Sequence, residues 1–229
     1  MIVDCISDLH GFHPKLEGGD LLIVAGDLTA RDTIEEYEKF GEWLAFQKYR
    51  KKVVIPGNHD NQLTESRIKQ INRVIGTLNG CVYLCDSGTE FEGLKIWGSP
   101  WTLTFEGMNP HCKAFTVDTE DELAEKWAMI PDDVDILITH SPRYGVLDYI
   151  HNYNTGVVER VGSKTLTKKT GDFTNLQLHV YGHIHEAYGS EKILFRLGSP
   201  DDEYIETCVN ASHVDEHYQP KNPPIRVTL

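Results

Sequence analysis

Short apolar runs that end in small clusters of aspartate, asparagine and histidine constrain this chain more than any other feature. Residues 2–7, 20–25 and 52–55 are three such runs, and 134–139 and 178–181 are two more. Each is brief, rich in Ile, Val and Leu, and closed by glycine or polar residues, the pattern of a buried strand. Asp8-Leu9-His10 follows the first run and Gly26-Asp27 the second. Gly57-Asn58-His59-Asp60 follows the third, His140 the fourth, and Gly182-His183-Ile184-His185 the fifth. In open α/β sheets ligands gather where strands give way to loops at their carboxyl ends. All five clusters are therefore expected along one edge of the sheets.

Between the runs the period lengthens. Ile34, Tyr37, Phe40 and Leu44 mark one face of a helix over 33–46, and Ile68, Ile71, Ile75 and Leu78 mark a second. Residues 120–128 read as a third helix. Short strands are expected at 82–85, 89–91, 95–97, 192–197 and 207–209. The stretch from 140 to 177 is polar and weakly periodic, and reads as a long loop region; 219–224, with three prolines, reads as an extended tail. No linker-like composition divides the 229 residues, so one α/β domain over 1–229 is expected.

Charge and cysteine usage exclude several classes. Lys plus Arg number 22 and Asp plus Glu 35, a net charge of −13. That disfavours a basic surface tracking long nucleic acid or lying on anionic lipid. No apolar stretch approaches the ~20 residues of a membrane span, so no membrane partner is expected. The N-terminus reads as a strand rather than a signal peptide. Five cysteines, with no CxxC among them, fit reduced thiols in a cytosol, so a cytoplasmic location is expected.

The clusters share one chemistry. Aspartate and asparagine oxygens with imidazole nitrogens suit divalent Mn, Fe or Zn better than thiolate-loving metals. Glycine precedes three of the clusters, which allows a sharp turn where a side chain must point inward. A lone D-x-H or G-H is common by chance. The ordered set D-x-H, G-D, G-N-H-D, H, G-H-x-H is far more specific.

That set resembles the calcineurin-like metallophosphoesterase superfamily, block for block and in order. More narrowly, the chain is similar to the small metallophosphoesterase-domain proteins in residues 19–27, 55–60, 181–186 and 210–212, and the likeness extends to the Tyr218-Gln219-Pro220 and Asn222-Pro223-Pro224 tail. The resemblance implies a four-layer αββα sandwich, two mixed β-sheets face to face with helices outside. It also implies two transition-metal ions. Asp8, His10, Asp27 and His185 would hold the first. Asp27 would bridge to a second held by Asn58, His140 and His183. His59 matches the catalytic histidine, which does not bind metal. Some relatives lack the last histidine of the set and are poor catalysts; His185 is present here. Asp60 stands where related protein phosphatases also have an acid, but no matching arginine follows it.

Physical chemistry gives these roles content. Two cations ~3.5–4 Å apart can share a hydroxide and clamp the attacking and leaving oxygens of an in-line displacement. His59 would protonate the departing alkoxide, an effect worth ~10²–10⁴ in rate. Asp60 is expected to orient the His59 ring, and Arg143 is a candidate to hold substrate phosphate through its guanidinium. The activity expected is hydrolysis of a small phosphodiester such as a cyclic nucleotide. A phosphomonoesterase or protein phosphatase is the nearest rival, and a non-catalytic binding scaffold on the same fold the rival from another class.

Overall fold

The structure is a computed structural model, and it describes residues 1–64, 80–105, 107–152, 155–196 and 203–229. The helix expected on Ile68, Ile71, Ile75 and Leu78 lies outside the described residues.

Two large mixed sheets form the two inner layers. In the first, strands Ile2–Ile6, Gly19–Ala25, Tyr49–Ile55 and Val82–Tyr83 run parallel to one another. The C-terminal strand Ile225–Thr228 pairs antiparallel with Ile2–Ile6 at the edge. The expected extended tail therefore ends in a strand, which the alternation of Ile225 and Val227 was too short to announce. In the second sheet, Leu94–Ser99, Ile136–Thr139, Leu178–Tyr181 and Glu203–Asn210 are mutually parallel neighbours, with antiparallel strands Ser87–Phe91 and Gly189–Arg196 at the edges.

Side-chain alternation decides what each face meets. Val3, Cys5, Leu21, Ile23 and Val53 of the first sheet pack against Ile96, Ile136, Ile138, Val180 and Val209 of the second, all buried. The opposite faces are buried too: Ile6, Leu22, Val24 and Val54 lie under Tyr37, Phe40 and Leu44 of helix Ile34–Ala45. Burial on both faces is why the parallel strands read as near-continuous apolar runs. On the far side, Leu123 and Trp127 of helix Glu120–Trp127 and Leu166 of helix Lys164–Thr170 cover Leu137. Thr33 and Thr119 start their helices with capping boxes, closed by Glu36 and Glu122.

The region from 140 to 177 is more ordered than expected. It holds the antiparallel strands Tyr149–Asn152 and Val157–Arg160 and the helix Lys164–Thr170. Much of this hairpin is exposed, Val157 and Val158 over half so, and its outward positions carry no apolar alternation to read. The helix is short; the Glu120 carboxylate caps it at the Lys164 and Thr165 N–H groups, a partner remote in sequence.

At one edge the two sheets are sewn together. The Ser7 N–H donates to the Ala211 carbonyl (2.8 Å), and the His213 N–H to the Ser7 carbonyl (2.8 Å). This seam sets the carboxyl ends of strands from both sheets side by side.

Candidate metal centre

All five polar clusters meet at the seam. Asp8 and His10 leave the first strand, Asp27 the second, and Asn58 and His59 the third. His140 and His183 with His185 come from the second sheet. Among the described residues three sets of donor atoms converge to within 4.8 Å: Asp8, His10 and His185; His10, Asp27 and His59; Asp8, Asp27 and His140. Asp27 faces both ways, with His140 Nε2 3.4 Å from its Oδ1 and His10 Nε2 3.7 Å from its Oδ2. His185 Nε2 lies 3.2 Å from Asp8 Oδ1. Asn58 Oδ1 lies 3.0 Å from His140 Nε2. The His183 ring stands 5.1 Å from that of His140, centroid to centroid, and its backbone N–H donates to the Asp8 carboxylate.

The backbone is bent to achieve this. Asp8, His10, Asp27 and His183 all have positive φ, between 42° and 67°. Such conformations cost a non-glycine residue on the order of 1–3 kcal/mol, and they persist where the surroundings over-determine them. Two of the glycines serve a purpose other than the sharp turn expected of them. A Cβ at Gly182 would fall 1.9 Å from Asp8 Oδ2, and one at Gly57 2.3 Å from Asp27 Oδ1. They leave room for the carboxylates of the cage.

The electrostatics suit cations. Burial works against the charge on both carboxylates, yet the bond and charge of His185, and the charge of His140, hold Asp8 well below the ordinary range. Asp27 is likewise held low, chiefly by His140 and His59. Burial lowers His10 to about 4 and His183 to about 3, so both rings are neutral and free to ligate. His140 is the exception: burial again pulls down, but Asp27 and Asp8 overcome it and raise it to about 9. His10 Nε2 is buried without a hydrogen-bond partner. A buried polar atom left bare beside two carboxylates has the environment of a ligand awaiting its ion. The donor set fits metal ions.

The cage opens into a cleft of about 750 Å³ whose lining includes His59, His183, His185, Leu103, Phe105 and Ile150. A calcineurin-like phosphoesterase family model matches residues 1–187, and so takes in every residue of the cage. The chain belongs to the calcineurin-like phosphoesterases. It is 37% identical to metallophosphoesterase domain-containing protein 1 of Homo sapiens, and equally to that of Mus musculus, over 98% of this chain and 70% of each relative. Its fold is shared with the crystal structure of TT1561 of Thermus thermophilus, at a TM-score of 0.54 and 16% identity, covering 91% of this chain and 88% of that one. The family and the converging Asp and His clusters together support a metal-dependent phosphoesterase.

Two expected roles do not fit the geometry. Arg143 does not reach the cleft: only 3% exposed, it pairs with the buried Glu206 at 2.9 Å and donates to Thr170 Oγ1 and Cys208 Sγ. The loop after Thr139 turns it back under the second sheet, where it meets the buried carboxylate of Glu206. Asp60 does not orient the His59 ring. Its carboxylate accepts from the Gly57 N–H (2.8 Å), the Leu28 N–H and the Tyr37 hydroxyl (3.1 Å), and so ties the loop after the third strand to the loop after the second. Burial first, then the charge of Asp27, pushes Asp60 up to about 8.

Other residues at the site carried no readable spacing. Ser212 donates its hydroxyl to Asp8 Oδ2 at 2.9 Å, a role for which the Asn210-Ala211-Ser212 segment was the available signal. Tyr218 lies edge-on to His10 and His185, with ring centroids 4.9 and 5.2 Å away. Cys112 sits against His59. Phe105 lines the cleft, whereas Trp101 donates to Asp86 and lies under Lys126.

Proposed function

We propose that this chain is a dinuclear metal phosphodiesterase acting on small diesters, with cyclic nucleotides as the first substrates to try. The diester preference is supported above all by the lining of the cleft. Among its described residues there is no Lys or Arg, while Glu186 and Glu216 stand at its border. A phosphomonoester carries close to two negative charges and is commonly gripped by a guanidinium. A diester carries one, which the metal ions suffice to balance. Apolar side chains, Leu103, Phe105, Ile150 and Val161, offer surface to the organic groups on both sides of the phosphorus.

Asp8, His10, Asp27 and His185 would hold one ion, and Asn58, His140 and His183 the other, with Asp27 shared. The oxygen and nitrogen donors suit Mn, Fe or Zn. When bound, the pair supplies a nucleophile at neutral pH and neutralises charge as it builds on the phosphoryl oxygens. The chain itself does the rest. Asn58 adds an oxygen without adding charge. The His59 backbone N–H is anchored on Asp27 Oδ1 at 2.9 Å, which fixes the loop while the ring stays open to the cleft. His59 Nε2 gives a proton to the departing oxygen. A cytoplasmic setting goes with this reading, in keeping with an odd number of cysteines and no CxxC.

The test is a comparison on manganese-reconstituted protein of bis(p-nitrophenyl) phosphate with p-nitrophenyl phosphate, alongside a panel of cyclic nucleotides. Faster turnover of the diester is expected. Equal or reversed rates would make the protein a phosphomonoesterase. The His59→Ala variant is expected to keep its metal and lose ~10²–10⁴ in turnover.

A further inference from the structure

With Asp60 committed elsewhere, the imidazole of His59 needs another partner, and the polar atom facing its Nδ1 is a sulfur. Cys112 Sγ lies 3.4 Å away, within hydrogen-bond reach for sulfur. The thiol is held in place by the segment around it. Asn58 Nδ2 donates to the Cys112 carbonyl at 3.1 Å, the Ala114 N–H donates to the Asn58 carbonyl at 3.1 Å, and Asn61 Nδ2 donates to the His111 carbonyl at 2.7 Å. Residues 111–114 thus clamp the catalytic loop at three points. One of these bonds also sets the Asn58 amide, so that its oxygen faces His140.

We propose that Cys112 is the positioning residue of His59, its Sγ accepting the Nδ1–H so that Nε2 faces the reacting ester. This rests on the phosphodiesterase reading for its consequence, though not for its geometry. His59 Nε2 lies on the Asp27 side, 3.9 Å from Oδ2, and the ring stands edge-on to His10 at 4.5 Å. As the bond between phosphorus and the leaving oxygen breaks, its electron pair stays on that oxygen, which takes the Nε2 proton; the Nδ1 proton remains on the ring against sulfur.

The test uses Cys112→Ala and Cys112→Ser in the whole chain, with two readouts. Nitrogen-15 NMR of the zinc-loaded protein, recorded at a pH where the His59 ring is neutral, reports its tautomer. Nδ1–H is expected in the wild type and Cys112→Ser, and a shift toward Nε2–H in Cys112→Ala. Turnover is read with diesters of good and poor leaving groups. Cys112→Ala is expected to lose about tenfold in kcat on a poor leaving group, less on a good one, with KM and metal content retained and Cys112→Ser restoring most of it. An unchanged tautomer, with losses equal across leaving groups, would overturn the proposal. If the tautomer shifts but the wild type hydrolyses no ester, the phosphodiesterase reading falls and the positioning role stands.

Discussion

Replacing Arg143 by alanine separates a buried strut from a substrate-binding residue. Its guanidinium and the Glu206 carboxylate are 2.9 Å apart, with side chains 4% and 1% exposed. Removing the cation leaves Glu206 buried without a counter-charge, a change that costs about 3–5 kcal/mol. Against a total stability of about 5–15 kcal/mol, that brings the variant close to unfolding at moderate temperature. The sign of the pH effect follows from Glu206. Burial already pushes its carboxyl above the usual range, with Arg143 pulling the other way. Without Arg143 the folded-state value climbs further above the unfolded one. The penalty is therefore full above that raised value and shrinks as pH falls through it, because the protonated acid tolerates burial. Urea unfolding at about pH 7.5 and about pH 5.5 measures this; the Arg143→Met, Glu206→Leu pair, with no charge left to bury, is expected to recover most of the loss. A variant with the wild-type unfolding midpoint and a sharply raised KM would refute the reasoning and put Arg143 in the cleft.

Two further outcomes follow from the cage. Gly182→Ala places a methyl group 1.9 Å from Asp8 Oδ2, so the carboxylate must leave its bonds to the His183 N–H (2.9 Å) and Ser212 hydroxyl (2.9 Å). At ~1.5–3 kcal/mol for each of these two bonds to a charged group, a loss of about 3–6 kcal/mol is expected in urea, with metal depleted; a stable, metal-replete variant would show that the loop yields freely. Metal uptake is expected to strengthen with rising pH up to about 9, because His140 holds a proton in the metal-free cage and must release it to ligate. Calorimetric titration in buffers of different ionisation enthalpy would show the proton released, and pH-independent affinity would contradict it.

The parts of the molecule that were legible in the sequence are those set by short-range pattern. The apolar runs of the first sheet, buried on both faces, were readable because no solvent-facing residue interrupts them, and the capped helix Ile34–Ala45 because its apolar face repeats faithfully. The polar clusters stood out because they recur at strand ends. Long-range pairing was hidden. Glu120 caps a helix more than forty residues away, Arg143 finds Glu206, and Cys112 reaches His59 across a loop of irregular backbone. No local spacing encodes such meetings. Asp60 shows how adjacency misleads: next to His59 in the chain, its carboxylate points to Gly57, Leu28 and Tyr37 instead.

Metal analysis of the wild type and of Asp27→Asn after reconstitution with manganese tests the shared-carboxylate cage most directly. Asp27 stands within 4 Å of His10, His59 and His140 at once. Close to two equivalents are expected in the wild type, with both lost together in the variant as the one carboxylate they share is weakened. A wild type that binds a single ion, or a variant that gives up only one of two, would contradict it.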